Sequence, residues 1–251
     1  MGSLNVISGP GETRRPLQYQ RAREMWAAHC ADEAAFGLAG VYANSRLADI
    51  AEANCILGPL EGARVEEALA YFAAQNVAPV AWYMPGASPA IAGLEEHLTE
   101  IWQLDMLAQK LPQAQPELTI IPARASFAHV AEIAAIMRPG VSPRQAAEAA
   151  MCHLDDSRVD ALIALRDGRA AAYAAVLSAG EFGFIMEFFV REDLRRRGVG
   201  KTLAGRVMDI CARSLFRNVY CPIGEGNRAG KSFLAQLGFS SVEKIGERQR
   251  S

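Results

Sequence analysis

The sequence lacks the patterns that mark several common classes of protein. Its five cysteines form no CxxC pair and its four histidines are scattered without metal-ligand spacing, so we expect reduced core thiols and no metal. No stretch approaches the ~20 apolar residues needed to cross a bilayer. The formal net charge of -2 argues against a general nucleic-acid binder. The first residues lack an apolar signal core. We therefore expect a cytoplasmic protein with neither membrane nor nucleic acid as partner.

What is present is an ordinary globular composition, 51% hydrophobic and 22% charged. A chain of 251 residues is long enough for one large or two small domains. The segment 110–117, KLPQAQPE, has two prolines and two glutamines and is the best linker candidate. We therefore expect a two-domain α/β (α+β) protein, divided into residues 1–112 and residues 113–251.

Apolar periodicity predicts alternating strands and helices in both parts. In the first part it predicts helices at 17–30, 65–75 and 90–98, and strands at 47–57, 77–84 and 101–107, with a loop at 85–89. In the second it predicts strands at 118–122, 158–166, 169–178, 182–190, 218–222 and from 239. The helices predicted there are 127–137, 143–153, with Ser142 as N-cap, 203–215 and 228–237, and Asp167-Gly168 is a predicted hairpin turn.

A basic, glycine-containing turn follows the apolar strand at 182–190. The first N–H groups of a helix lack internal partners and lie at the positive end of its dipole, so they bind anions. Gly198 and Gly200 remove side chains that would block close approach, and Lys201 with four arginines adds positive charge. The turn therefore predicts a phosphate-bearing ligand.

Two ligand classes compete for this turn. The run Gly198-Val199-Gly200-Lys201-Thr202 looks like the end of a Walker A loop, which would indicate a nucleotide triphosphatase. Arg195 stands where that loop needs its first glycine, and no later apolar strand ends in an acidic residue to hold magnesium. The other pattern is R-x-x-G-x-G, met by Arg195, Gly198 and Gly200.

The second pattern resembles the acyl-CoA pyrophosphate loop of the GNAT N-acetyltransferase superfamily. Further on, Asn227, Gly238 and Phe239 fall on that superfamily's N-x-x-A-x-x-x-Y-x-x-x-G-F pattern. Two partial matches in the right order favour this family over the triphosphatase. The order of predicted elements also resembles the GNAT fold, a mixed, mostly antiparallel sheet flanked by helices. Four positions depart from the family: Glu192 replaces a proline, Leu194 an aromatic residue, Gly230 an alanine and Leu234 a tyrosine.

The resemblance implies an N-acetyltransferase that moves an acetyl group from acetyl-CoA to a primary amine, on a small molecule or a peptide amino terminus. The amine would attack directly in a ternary complex. The family pattern assigns Phe188, Phe189 and Val190 to the pantetheine arm and the thioester oxygen. Asn227 would touch the pantetheine, and the following helix, with Gly230 and Phe233, would flank CoA. The implied pyrophosphate loop comprises Arg195, Arg196, Arg197, Gly198, Val199, Gly200, Lys201 and Thr202.

Glu187 is the only acid inside the apolar strand, and an unpaired carboxylate there would be costly. It is our candidate for accepting the amine's proton, with a structural ion pair or an exposed edge position as the alternatives. Leu234 cannot donate a proton to the leaving thiolate, which keeps open a non-catalytic acyl-CoA sensor or interaction module. The acceptor is expected to contact residues 138–156 and the face between the halves.

The first half repeats the order of the second, with a strand, a turn, a helix and a strand. Its turn contains Pro59 and Glu61 and no arginine cluster, so it should not hold phosphate. We expect residues 1–112 to be a degenerate GNAT-like domain in a tandem arrangement, with an unrelated α/β cap as the alternative. A homodimer is possible.

Overall fold

The computed structural model describes residues 14–36, 39–83, 91, 93–108 and 118–250. These residues form six helices and eleven strands. The helices are α1 (Arg14–Ala27), α2 (Ala63–Ala74), α3 (Phe127–Met137), α4 (Pro143–Cys152), α5 (Val199–Arg213) and α6 (Arg228–Gln236). The first five strands are β1 (Asp32–Phe36), β2 (Ala39–Ala43), β3 (Cys55–Leu57), β4 (Ala81–Tyr83) and β5 (Glu95–Asp105). The others are β6 (Thr119–Pro122), β7 (Val159–Arg166), β8 (Arg169–Ala179), β9 (Phe182–Val190), β10 (Asn218–Gly224) and β11 (Ser240–Gln249).

All eleven strands belong to one sheet in the order β1-β2-β3-β4-β11-β5-β10-β9-β8-β7-β6. Among the described strands, only β3 with β4 and β9 with β10 pair in parallel. Each parallel pair is joined by a crossover helix, α2 in the first case and α5 in the second, as parallel pairing requires. The predicted mixed, mostly antiparallel sheet flanked by helices is confirmed.

The pairing repeats on either side of the central antiparallel pair β11–β5. On the β11 side, the pairs β11–β4, β4–β3, β3–β2 and β2–β1 are antiparallel, parallel, antiparallel and antiparallel. On the β5 side, the pairs β5–β10, β10–β9, β9–β8 and β8–β7 follow the same series, and β6 adds one more antiparallel pair at the edge. Two halves of like topology therefore share one sheet, which agrees with the predicted tandem arrangement.

The two halves exchange their last strands. β5, from the first half, lies between β10 and β11, and β11, from the second half, lies between β4 and β5. The division into residues 1–112 and 113–251 stays a proposal, and its linker at 110–117 falls on residues outside those described.

The core has two main layers, one on each face of the carboxy-terminal part of the sheet. Successive residues of β8 alternate between them, as side chains of a strand do. Tyr173, Ala175 and Leu177 pack with α1, α3 and α4. Ala172, Ala174 and Val176 pack with α5 and α6. None of the described helices is long and apolar enough to cross a membrane.

The predictions for the second half hold closely. Helix α3 and strand β9 have the predicted bounds, and Ser142 caps α4 by accepting a hydrogen bond from the Gln145 N–H at 3.3 Å. Asp167 and Gly168 both have positive φ, as the predicted hairpin turn needs. Several bounds differ from the prediction by one or two residues, and one is wrong by four. Helix α5 begins at Val199 and not at residue 203, so the glycine turn runs directly into the helix.

The predictions for the first half were less accurate. Helices α1 and α2 are confirmed, and residues 101–105 are strand as predicted. The strand predicted at 47–57 is wrong except for β3, because Ser45–Leu47 and Ala51–Ala53 form 3-10 turns. The helix predicted at 90–98 is wrong over its described residues, because Ile91, Gly93 and Leu94 are not helical and β5 begins at Glu95. The hairpin β1–β2 was not predicted, and the loop predicted at 85–89 lies outside the described residues.

Candidate functional site

Strands β9 and β10 separate part of the way along their length. They pair only from Asn218↔Phe182 to Tyr220↔Phe184, although β9 continues to Val190 and β10 to Gly224. Beyond Phe184, the edge of β9 that faces β10 makes no ladder with it. A divergence of this kind leaves backbone N–H and C=O groups directed into the space between the strands, where an extended ligand can pair with them.

The glycine turn closes one end of this gap. Gly198 is the N-cap of α5 and has φ of 80°, a left-handed conformation that favours glycine. The first helical hydrogen bond runs from Thr202 N–H to Gly198 C=O at 3.0 Å. The N–H groups of Val199, Gly200 and Lys201 precede it, so the turn presents an anion-binding helix start.

Positive charge surrounds the turn. The Arg195 Nε donates to the Val190 carbonyl at 3.3 Å, which ties the turn back to the end of β9. The Arg195 guanidinium also lies 3.6 Å from Glu192. Arg196, Arg197 and Lys201 are exposed and form no ion pair with any described residue. Three cationic side chains are thus available to a phosphate.

Apolar side chains converge behind the turn. A Cβ on Gly200 would lie 3.3 Å from Val190 Cγ2 and 3.6 Å from the Phe233 ring, so glycine permits this close packing. The rings of Phe188 and Phe233 lie 5.6 Å apart between centroids. Phe188 and Val190 pack with the α5–α6 layer, whereas Phe189 packs with the opposite layer. The structure therefore brings Phe188, Val190, Gly200 and Phe233 together and places Phe189 apart from them.

Asn227 and Gly230 form the start of α6. The Asn227 side-chain oxygen accepts a hydrogen bond from the Gly230 N–H at 2.9 Å and so caps the helix. A Cβ on Gly230 would lie 2.4 Å from Ile223 Cδ1, so the alanine usual in the family would not fit without movement. Both residues stand at the mouth of the gap, next to the end of β10.

A β-bulge directs Glu187 away from the glycine turn. Ala175 pairs with Glu187 and Val176 with Ile185, which leaves Met186 as the extra residue on β9. The Glu187 carboxylate is 11% exposed and forms an ion pair with Arg138, whose same Nη2 also donates to Glu52 at 2.8 Å. Glu187 is thus a buried ion-pair partner, and this pairing leaves its predicted catalytic role untested.

Polar atoms without partners remain in this cluster. Glu187 Oε2, Arg138 Nη1 and Tyr173 Oη are buried and have no hydrogen-bond partner among the described residues. Burial raises the pKa of Glu187, and the Arg138 guanidinium opposes that rise without cancelling it. Burial also raises the pKa of Tyr173, with the Glu187 charge acting in the same direction. A carboxylate of raised pKa with a free oxygen can accept a proton.

No proton donor stands at the position where the family usually has tyrosine. Leu234 is 5% exposed and packs in the core with Val219 and Phe239. Tyr220 lies on the other layer, stacked on Phe184 at 5.1 Å. Burial raises the pKa of Cys221 to about 12, so its thiol is a weaker acid than an ordinary thiol of pKa about 8.5.

A cavity of about 760 Å³ opens beside the end of β10, lined by α1, β5, β11 and the loop after β10. Three carboxylates line it: Glu96, Glu225 and Glu247. Glu247 is buried and accepts hydrogen bonds from Tyr19 Oη at 3.0 Å and Thr99 Oγ1 at 2.9 Å. The one cationic side chain among the described lining residues, Arg23, lies 4.3 Å from the Tyr83 ring centroid and acts to lower the pKa of Glu187. The cavity and Glu187 are therefore within electrostatic reach of the same arginine.

The described residues of the first half show no such gap. β3 and β4 pair along their whole length, to Leu57↔Tyr83, and the Gly58 N–H extends this pairing by bonding the Tyr83 carbonyl at 3.3 Å. The Trp82 indole N–H donates to the Gly58 carbonyl at 3.0 Å, which places a large side chain against the turn. As far as Leu57 and Tyr83, these two strands thus lack the opening seen between β9 and β10.

The sequence did not reveal several residues of the site. Arg138 falls in the segment expected to contact the acceptor, but no motif linked it to Glu187. Glu52 lies in a segment predicted to be a strand, and Tyr173 and Arg23 belong to ordinary amphipathic patterns. Their roles arise from packing between distant segments, which a sequence pattern does not record.

Residues 127–239 match the model of the family described as Acetyltransferase (GNAT) family. A search of curated proteins found no match. The chain is similar in structure to a functionally unknown conserved protein from Staphylococcus epidermidis, with TM-score 0.65, 11% identity and coverage of 88% of this chain and 94% of that one.

Two further structures extend this similarity over nearly the whole chain. A GCN5-related N-acetyltransferase from Kribbella flavida gives TM-score 0.60 at 14% identity, covering 94% of this chain and 96% of that one. A tandem GNAT protein from the clavulanic acid biosynthesis pathway gives 0.51 at 14% identity, covering 95% and 71%. At these identities the similarity establishes the fold, and the last structure agrees with a tandem arrangement.

Proposed function

Because residues 127–239 match the model of the Acetyltransferase (GNAT) family, we propose that the protein transfers an acetyl group from acetyl-CoA to a primary amine. The observation that carries the proposal is the gap between β9 and β10, closed at one end by the helix start at Gly198 and open along an unpaired strand edge. In this proposal CoA lies in that gap and the acceptor approaches from the cavity beside β10.

The turn supplies the CoA pyrophosphate site. The N–H groups of Val199, Gly200 and Lys201 would bind its oxygens, and the exposed Arg196, Arg197 and Lys201 would neutralise its charge. The pantetheine arm would pair with the free edge of β9 from Glu187 to Val190. Phe188 and Phe233 give it an apolar wall, and Phe189, on the opposite face, would contact only the acetyl end or the core.

Glu187 is the proposed proton acceptor. An alkyl amine is protonated at neutral pH and must lose a proton before it attacks the thioester carbonyl. Glu187 Oε2 has no partner among the described residues, and burial raises the pKa of its carboxyl, so it is suited to take that proton. The amine nitrogen then bonds to the carbonyl carbon and gives up a second proton to water, the C–S bond breaks, and the sulfur leaves as thiolate.

The leaving thiolate takes its proton from water in this proposal. Leu234 has no acidic proton, and Cys221 is too weak an acid to protonate a thiolate favourably. A thiolate is a tolerable leaving group, because the pKa of a thiol is only about 8.5. The lack of a donor therefore slows the reaction without preventing it.

The acceptor is proposed to be a cationic amine. Three carboxylates and one arginine line the cavity, and the rim carboxylates Glu96 and Glu225 form only surface ion pairs, with Arg248 at 4.0 Å and Lys244 at 2.7 Å, which an ammonium group can replace. A surface of this sign attracts an ammonium group and repels a carboxylate. We expect polyamines or basic amino-terminal residues to be better acceptors than acidic ones.

Calorimetry with acetyl-CoA tests the cofactor site. The wild type should bind, and a Gly198→Glu/Gly200→Glu variant should not, because two carboxylates then stand at the pyrophosphate position. Gly62→Glu is the matched control: Gly62 is the N-cap of α2, has positive φ of 54° and has open space at its Cβ, so it bears similar strain away from the site. It should bind as the wild type does.

Thiol release with a panel of amines then tests the reaction. Release that depends on a cationic amine supports the acetyltransferase. Tight acetyl-CoA binding without release from any amine would instead favour the non-catalytic sensor, for which the missing donor at Leu234 is the supporting observation. Absence of acetyl-CoA binding by the folded wild type would refute both.

A further inference from the structure

Arg138 joins two buried carboxylates that come from different halves of the protein. Glu52 belongs to the 3-10 turn Ala51–Ala53, before β3, and Glu187 lies on β9. Arg138 follows α3 directly. One atom, Arg138 Nη2, donates to both carboxylates, and the three side chains are 11 to 14% exposed. The two acids therefore share a single guanidinium.

Because Arg138 is shared between two carboxylates, its effect on the pKa of Glu187 is different from that of an arginine paired with one. A buried arginine paired with one glutamate forms a neutral pair and lowers the pKa of that glutamate, which makes it a poor base. With Glu52 present, the three charges add to a net negative cluster. The Glu52 charge then raises the pKa of Glu187, in the same direction as burial.

The hydrogen bonds are also divided between the two acids. Glu187 uses Oε1 for Arg138, and its Oε2 has no partner among the described residues. Arg138 Nη1 likewise has none, so the guanidinium does not clamp Glu187 in a two-bond fork. Were Glu52 absent, Arg138 could direct Nη1 as well as Nη2 towards Glu187.

We propose that Glu52 is a positioning residue which holds Arg138 away from a bidentate pair, so that Glu187 keeps one carboxylate oxygen free for the acceptor amine. This inference rests on the proposed role of Glu187. It gives the amino-terminal half a part in the reaction of the other half.

Other charged and titratable groups face this cluster. Arg23 on α1 acts to lower the pKa of Glu187, and Tyr173 on β8 lies near enough to feel both Glu187 and Arg138. On the side of Glu52 lie His153 and the thiols of Cys30 and Cys152. Burial lowers the pKa of His153 to about 3, so it stays neutral near pH 7. Glu52 is therefore the negative charge whose removal should change Glu187 most.

The test is Glu52→Gln, which keeps the shape and an oxygen for Arg138 but removes the charge. We expect kcat for acetyl transfer to fall roughly three- to ten-fold near neutral pH, as for a weaker base. The acidic limb of the kcat/KM profile should move to lower pH, with the acceptor KM changed less than about two-fold. Glu52→Asp keeps the charge and should restore most of the activity.

Glu132→Gln is the matched control. Glu132, on α3, forms an ion pair with Arg169 at 3.6 Å in a more exposed place, outside the segment expected to contact the acceptor. Its loss removes one such ion pair without touching Arg138. The pH profile of this variant should be that of the wild type.

An NMR titration of the glutamate side-chain carboxyl ¹³C signals tests the effect of Glu52 on Glu187 without an activity assay. The Glu187 signal is identified by its loss in Glu187→Gln, and its pKa should be lower in Glu52→Gln than in the wild type. An unchanged Glu187 titration in folded Glu52→Gln would overturn the inference. If Glu52→Gln does not fold, Glu52→Ala, which also removes the charge, takes its place in the titration, and an unchanged Glu187 pKa there overturns the inference too. A wild type inactive with every amine would refute the proposed function, while this titration would still decide the electrostatic inference.

Discussion

Replacing Arg138 with methionine should destabilise the protein strongly and in a pH-dependent way. The substitution leaves Glu52 and Glu187, 14% and 11% exposed, facing each other without a cation. Removing one partner of a buried ion pair costs about 3–5 kcal/mol, because the remaining charge stays buried. For a chain of this size, 1 kcal/mol corresponds to roughly 2–4 °C in Tm, so we expect a fall of about 6–20 °C.

The pH dependence follows from the sign of the pKa change. Without Arg138, burial and mutual repulsion should raise both carboxyl pKa values above those of the unfolded chain. A raised carboxyl pKa favours the folded state at low pH, and that advantage is lost as pH rises. The deficit of Arg138→Met relative to wild type should therefore shrink from pH 7 to pH 5. Urea unfolding at several pH values measures it.

Two further variants make this result interpretable. Arg46→Met breaks the exposed pair with Glu148 and should cost less than about 1 kcal/mol. The triple variant Glu52→Gln/Arg138→Met/Glu187→Gln removes all three charges and should recover much of the stability, since no buried charge is left unpaired. A loss below 1 kcal/mol for Arg138→Met, or a deficit independent of pH, would refute the electrostatic account of this cluster.

Three other predictions concern separate parts of the protein. Burial lowers the pKa of His153 to about 3, so the folded state keeps it neutral while the unfolded state gains a proton, and the free energy of unfolding should fall by about 2 kcal/mol between pH 7 and pH 5. In urea unfolding, the variant His153→Gln should not show this pH dependence. Asn227→Ala removes the cap of α6 and should cost about 1 kcal/mol in thermal unfolding, whereas Asn227→Asp should keep most of it; equal stability of the two would contradict the cap assignment. Trp82→Phe removes the hydrogen bond to the Gly58 carbonyl and should cost about 1 kcal/mol of stability. Calorimetry of this variant should still show a single acetyl-CoA site, and a second site would mean that Trp82 alone keeps acetyl-CoA out of the first half.

The second half could be predicted from sequence because its signals are local. Helix α3, strand β9 and the Asp167-Gly168 turn each follow from periodicity or turn chemistry within a few residues. The helix start was placed too late, at 203, because Gly198 and Gly200 read as turn residues. In the structure Gly200 already belongs to α5 and is required there by its contact with Val190.

The first half was predicted less accurately from sequence because its strands are short or consist mainly of small side chains. β2 is AGVYA and buried along its whole length, so no alternation of polar and apolar residues marks it. The alanines between residues 47 and 57 permit 3-10 turns as readily as a strand. β5 begins with Glu95, Glu96 and His97, which look like an exposed helix end, and it is a strand because β11 pairs with it there.

The candidate site, too, could be predicted only where its residues are close together in the sequence. The glycine turn was visible because its chemistry needs consecutive residues. The partners of Glu187 were not, because Arg138, Glu52 and Tyr173 meet only through tertiary packing. The alternatives open for Glu187 from sequence included an ion pair, and the structure contains one together with a free oxygen.

The exchange of β5 and β11 has a consequence for the order in which the protein is made. β11 pairs with β4 and β5, so it lies at the centre of the sheet although it follows every other described strand in the chain. During synthesis, the edges of β4 and β5 that β11 will cover stay unpaired until residues 240–249 have left the ribosome. The nascent chain therefore carries open strand edges in the middle of its future sheet, and we expect it to depend on a chaperone until β11 is available.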